Sequence, residues 1–196
     1  MNILKITKAD LDVDNYYIGA TDVSQEYDGS IEIAAGLGCV KFKTLVKAKH
    51  SIIALRGTGI VAAAGIVAGW SIVAGEGIEA GWSIVAGDGI NAGWGINAGW
   101  GIVAGWSVVA GWGINAGEGI EAGEGIVAGL GIEAGSGLGA GLNITATWID
   151  VRLRIFAGLC LWRIPTEEET EITAELRGGT IAYGKLVAPA KPAVQS

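Results

Sequence analysis

The chain has 196 residues, 34 of them glycine, and a formal charge of −7. Glycine far above the roughly 7% of ordinary domains, yet not at every third position, excludes collagen and points to a repeat. No Lys or Arg lies between Arg56 and Arg152, whereas Glu76, Glu79, Asp88, Glu118, Glu121, Glu124 and Glu133 do. Such a body lacks the cations that displace counterions from a nucleic-acid backbone, which argues against nucleic acid as its partner and favours a basic protein surface.

Residues 1–58 read as an N-terminal β cap and entry segment. Ile3, Leu4 and Ile6 open it, Asp28-Gly29 marks a turn, and the alternation at Ile31 and Ile33 predicts a strand. Cys39 to Lys49 predicts another, with Val40, Phe42 and Val46 against Lys41, Lys43, Lys47 and Lys49. The start of the chain lacks the long apolar run of a signal peptide.

Residues 59–143 form the Gly-rich body. From Gly65 to Leu142 a six-residue unit, [G/S]-I-x-A-G-z, recurs without insertion, with Val108 and Leu138 as the only replacements of its Ile. Two glycines per unit each cost a helix about 1 kcal/mol relative to Ala, and a six-residue period drifts around a helix of 3.6 residues per turn. A short strand over Ile-x-Ala accounts for the pattern, with Ile and Ala inward, x outward, and z at a corner. The uncharged stretch from Gly89 to Gly117 is long enough to raise a membrane span, but the same unit continues through charged repeats on both sides, which argues against one.

This pattern resembles the hexapeptide-repeat, left-handed parallel β-helix proteins, in which an aliphatic residue stands at every sixth position and three hexads make one triangular coil. The resemblance covers the body and implies architecture alone. Where the family usually carries a small residue two positions before the aliphatic one, this chain has Trp70, Glu76, Trp82, Asp88, Trp94, Trp100, Trp106, Trp112, Glu118 or Glu124. The fold expected is therefore all-β, a parallel β-solenoid with non-repeat β caps. Three hexads per coil are favoured over two, although Trp70, Trp82, Trp94 and Trp106 follow a twelve-residue rhythm that supports the two-hexad unit.

Residues 144–188 read as a C-terminal β cap. Val151, Leu153 and Ile155 alternate with Arg152 and Arg154 in a half-buried strand, and Glu171–Leu176 and Thr180–Val187 are expected to pair as a hairpin across Gly178-Gly179. Residues 189–196 read as a disordered tail.

The z position carries the functional information. A site shared by Trp and acids is not core, so these ten residues predict a solvent-accessible corner whose tryptophans serve as an interface, stack on one another as a structural ladder, or offer a stacking platform to a ligand; the interface is favoured. The leading expectation is a non-enzymatic protein-binding or inhibitory module. A self-assembling fibre, filament or surface protein, as dimer, trimer or longer assembly, is the second reading. An acyltransferase-like enzyme is the third, and only His50 could serve it. No dinucleotide, Walker or nucleophile-elbow motif and no metal-ligand spacing is present, so neither catalytic residues, cofactor nor metal is expected. Two unspaced cysteines, Cys39 and Cys160, suit a reduced, cytoplasmic protein.

Overall fold

The computed structural model describes residues 2–189, so the tail expected at 189–196 lies, but for Pro189, outside the described residues. Ile84 stands in register between Ile66 and Ile102, and Ile96 between Ile78 and Ile114, so the chain returns to the same side after eighteen residues. Three hexads therefore make a coil. The twelve-residue tryptophan rhythm is not a two-sided unit: a step of two hexads around a three-sided coil moves each Trp to the next corner.

Every pairing between the named strands is parallel. The first side stacks Ile3–Ile6, Ser30–Ile33, Ile52–Ala54, Ile72–Ala74, Ile90–Ala92, Val108–Ala110 and Ile126–Ala128. The second stacks Gly38–Phe42, Thr58–Ala62, Ile78–Ala80, Ile96–Ala98, Ile114–Ala116 and Gly131–Ala134. The third runs through Val46–Ala48, Ile66–Ala68, Ile84–Ala86, Ile102–Ala104, Ile120–Ala122, Leu138–Ala140, Arg154–Ala157 and Thr180–Tyr183. The long strand Ile144–Val151 turns a corner, pairing first with Ile126–Ala128 and then with Gly131–Ala134.

The core follows from the hexad. Ile and Ala of each unit point inward and are buried, from Ile31 through Ile66, Ile84 and Ile102 to Ile155 and Ile172. Parallel, in-register stacking places like on like, so each isoleucine packs against the isoleucines of the coils on either side, with the close fit typical of protein interiors.

The two glycines of the unit serve different ends. At the one after Ala, a Cβ would lie 1.9 Å from the Gly87 carbonyl oxygen at Gly105 and 2.0 Å from the Gly69 carbonyl oxygen at Gly87. Backbone of successive coils touches there, and no side chain fits. At the one before Ile the nearest carbonyl is 3.3 Å away at Gly101 and Gly95, an approach loose enough for Ser71, Ser83 and Ser107 to replace it. None of these repeat glycines has positive φ; that conformation is confined to the flanks, as at Gly57 and Gly179.

The flanks wind as less regular coils of the same prism. The strand expected over Cys39–Lys49 is two, Gly38–Phe42 and Val46–Ala48, because residues 43–45 turn a corner. Thr58 is buried where the Leu37 and Gly57 turns meet; its hydroxyl donates to the Ala34 carbonyl (2.8 Å) and accepts from the Leu37 amide (3.0 Å), which satisfies both groups. The hairpin expected across Gly178-Gly179 does not form. Glu171–Leu176 pairs in parallel with Ile144–Val151, and Thr180–Tyr183 with Arg154–Ala157, because Gly179, at φ +89°, carries the chain round to the next side.

Candidate functional site

The ten z residues fall on three corners, fixed by the eighteen-residue coil. Trp70, Asp88, Trp106 and Glu124 occupy the corner between the third and first sides, each donating its backbone N–H to the residue one coil before, as Asp88 does to Trp70 (3.1 Å). Glu76, Trp94 and Trp112 occupy the corner between the first and second sides, and Leu130 continues their row. Trp82, Trp100 and Glu118 hold the corner between the second and third.

The six indoles are between 44% and 59% exposed. They do not form one ladder. Trp82 stacks on Trp100 (5.9 Å between ring centroids, 17° between planes) and Trp94 on Trp112 (5.8 Å, 10°). Trp70 packs against His50 at 4.4 Å, whereas Trp106 stands between Asp88 and Glu124. Each stacked pair shields one face of each ring and leaves the rest in water.

Along the second side the corner row becomes the wall of a groove of about 510 Å³. Trp94, Trp112 and Leu130 form its apolar wall and Gly77, Gly95, Gly113 and Gly131 its floor, with Trp148, in register with Gly131, over one end and Cys39 and Val61 lining the other. The opposite wall is polar: Glu79, Asn97, Asn115 and Glu133, the outward residues of successive coils in register. Asn115 donates from Nδ2 to Glu133 Oε2 at 2.7 Å, which orders that wall. Glycine is needed at Gly131 because the Trp148 indole lies where a Cβ would stand, 2.1 Å away. The Arg177 guanidinium covers the Trp148 ring at 4.6 Å.

Trp148 and the Glu79-to-Glu133 wall were absent from the candidates read from the sequence. Trp94, Trp112 and Leu130 are spaced by one coil of eighteen, a relation visible only once the coil length is known, whereas Trp148 stands in register with Gly131 after a return of seventeen and so breaks the period. The groove in turn leaves out Trp70, Trp82, Asp88, Trp100, Trp106, Glu118 and Glu124, which line the other edges, and Glu76, which precedes Trp94 in its corner row but does not line the groove.

His50 lies half-buried on Trp70, with Nδ1 shielded from solvent and unpaired. Among the described residues no three His, Cys, Asp or Glu side chains are grouped to hold a metal ion, and no helix is long and apolar enough to cross a membrane. Comparison of the chain with protein-family models, with curated proteins and with solved structures finds no match to any of them.

Proposed function

We propose that this protein is a non-enzymatic binding module that receives an extended, basic and apolar segment of a partner protein in the groove of its second side. The observation that carries this reading is the groove's two-sided chemistry: indole and Leu130 along one wall, Glu79 and Glu133 along the other, over a floor of stacked glycines. Apolar side chains of the segment lie against Trp94, Trp112 and Trp148 and remove their exposed area from water. Lys or Arg side chains meet the carboxylates, and Asn97 and Asn115 offer both donors and acceptors. The backbone of the solenoid is already bonded coil to coil, so the segment is held by side chains and not by strand addition.

The test is a titration with short peptides, one alternating Leu with Lys and one alternating Leu with Glu. The Lys peptide binds, perturbs indole fluorescence and weakens with added salt; the Glu peptide does not bind. Trp112→Ala weakens the Lys peptide by about tenfold or more, as loss of an aromatic anchor does, and Glu79→Gln with Glu133→Gln removes most of the salt dependence. Equal binding of both peptides, or of neither, contradicts the proposal.

A further inference from the structure

The third side has a different surface. Its outward residues, read coil by coil, are Lys47, Val67, Val85, Val103 and Glu121. A basic rung is thus followed by three apolar rungs and an acidic one. The corners repeat the order: Lys49 and Glu124 lie at one edge of the two charged rungs, and Lys43 and Glu118 at the other. Between them Trp82 and Trp100 flank the valines on one edge and Trp70 and Trp106 on the other. Val103 is 41% exposed and Val67 and Val85 are half-buried.

We propose that this side is the interface of an antiparallel homodimer, with its two-fold axis running along the strand direction at Val85. A two-fold interface is self-complementary, so each residue must suit the one it meets. About Val85 the axis sets Val67 against the partner's valine at 103, and the Lys47 rung against the partner's Glu121 rung. At the corner it sets the small Ala64 opposite the partner's Trp100, and Trp82 opposite its own copy. Lys47 and Lys49 hold Glu26 (3.1 Å) and Asp28 (2.8 Å) in the single chain, exposed pairs weak enough for the lysines to exchange them for a facing carboxylate. The parallel alternative, with the axis along the solenoid, fails on the same residues: it sets Lys47 on Lys47 and Glu121 on Glu121, and like charges directly opposed repel. One misfit remains in the antiparallel arrangement, Asp88 facing Asp88 across the axis.

Five rungs about 4.8 Å apart, with a side roughly 20 Å wide including its corner indoles, give about 400 Å² of flat area per copy. That area belongs to the small, reversible class of interfaces, so the dimer dissociates on dilution. The groove lies on another side, and each proposal stands without the other.

Sedimentation equilibrium over a range of concentrations tests the dimer. A reversible monomer–dimer equilibrium is expected for the native chain. Val85→Arg weakens it by about tenfold or more, since it buries two like charges at the axis. Lys47→Glu and Glu121→Lys each weaken it, the two together restore it, and Asp88→Asn strengthens it; circular dichroism verifies that each variant is folded. Orientation is read by cross-linking with a short bismaleimide, which spans the about 10 Å between packed sheets, in a Cys39→Ser, Cys160→Ser background. Val85→Cys cross-links to itself, while Val67→Cys cross-links to a Val103→Cys copy and not to itself. A monomer at every concentration, a trimer, or self-linking of Val67→Cys as readily as Val85→Cys overturns the proposal.

Discussion

At the residue scale the hexad divides its labour by what each position touches. The glycine after Ala lies against backbone of the preceding coil, so Gly105→Ala is expected to lower stability by about 1–3 kcal/mol or more through overpacking, whereas Gly101→Ala, with 3.3 Å of room, is expected to cost far less. Thermal unfolding of the two variants checks this contrast. If they melt together, the close approach of the coils is not what holds glycine in place. The isoleucine is the other fixed point: Ile84→Ala leaves a void in a fully buried stack and is expected to cost about 2–5 kcal/mol by the same measurement. These two positions were legible in the sequence because the glycine is invariant and the isoleucine yields only to Val108 and Leu138. Position z was legible as a corner, since no core site accepts both Trp and Glu. Which indoles stack was not legible, because Trp82 and Trp100 become neighbours only through the eighteen-residue return.

At the scale of elements the flanks were read less well than the body, for a physical reason. Strands of three residues joined by tight corners have no long alternation to detect, and in Cys39–Lys49 the lysines keep alternating straight through the corner at residues 43–45. The C-terminal segment misled in another way: Gly178-Gly179 has the composition of a hairpin turn but connects strands on different sides of the prism. The loop after Arg154–Ala157 presents Leu161 and Ile164 at 95% and 93% exposure and is held at its base by one ion pair. There Arg163 donates two hydrogen bonds of 2.6 Å to the Glu169 carboxylate. Those bonds, with a further one from the Thr166 amide, lower the Glu169 carboxyl from its ordinary value of 4.5 to about 2. A depressed acid stabilises its bridge fully above the ordinary value and loses it as pH falls through the depressed one. The loop is therefore expected to stay pinned at pH 5 and above and to loosen between about pH 4.5 and pH 2. Nuclear magnetic resonance of the Arg163 side chain follows this directly, and a midpoint near pH 4.5 would show that the pair is not formed in solution.

At the scale of the whole molecule, stacked coils make a chain whose natural unit of length is eighteen residues, since each coil contacts only its neighbours. Deleting residues 101–118, one full coil, is expected to leave a folded, shorter protein, whereas deleting residues 101–106 removes one side of a coil that then cannot close and is expected to abolish cooperative unfolding. Circular dichroism melts of both deletions distinguish the three-hexad coil from any other. The same geometry gives the protein distinct surfaces: an acid-and-indole groove on the second side, and a face graded from basic through apolar to acidic on the third. Replacing the eight tryptophans with 5-fluorotryptophan and following their fluorine resonances tests this division most directly. The account predicts that a peptide alternating Leu and Lys shifts the signals of Trp94, Trp112 and Trp148 and leaves those of Trp82 and Trp100 in place, while dilution moves Trp82 and Trp100 and spares the groove. Uniform shifts of all the corner indoles with the peptide, or none at Trp112, would contradict it.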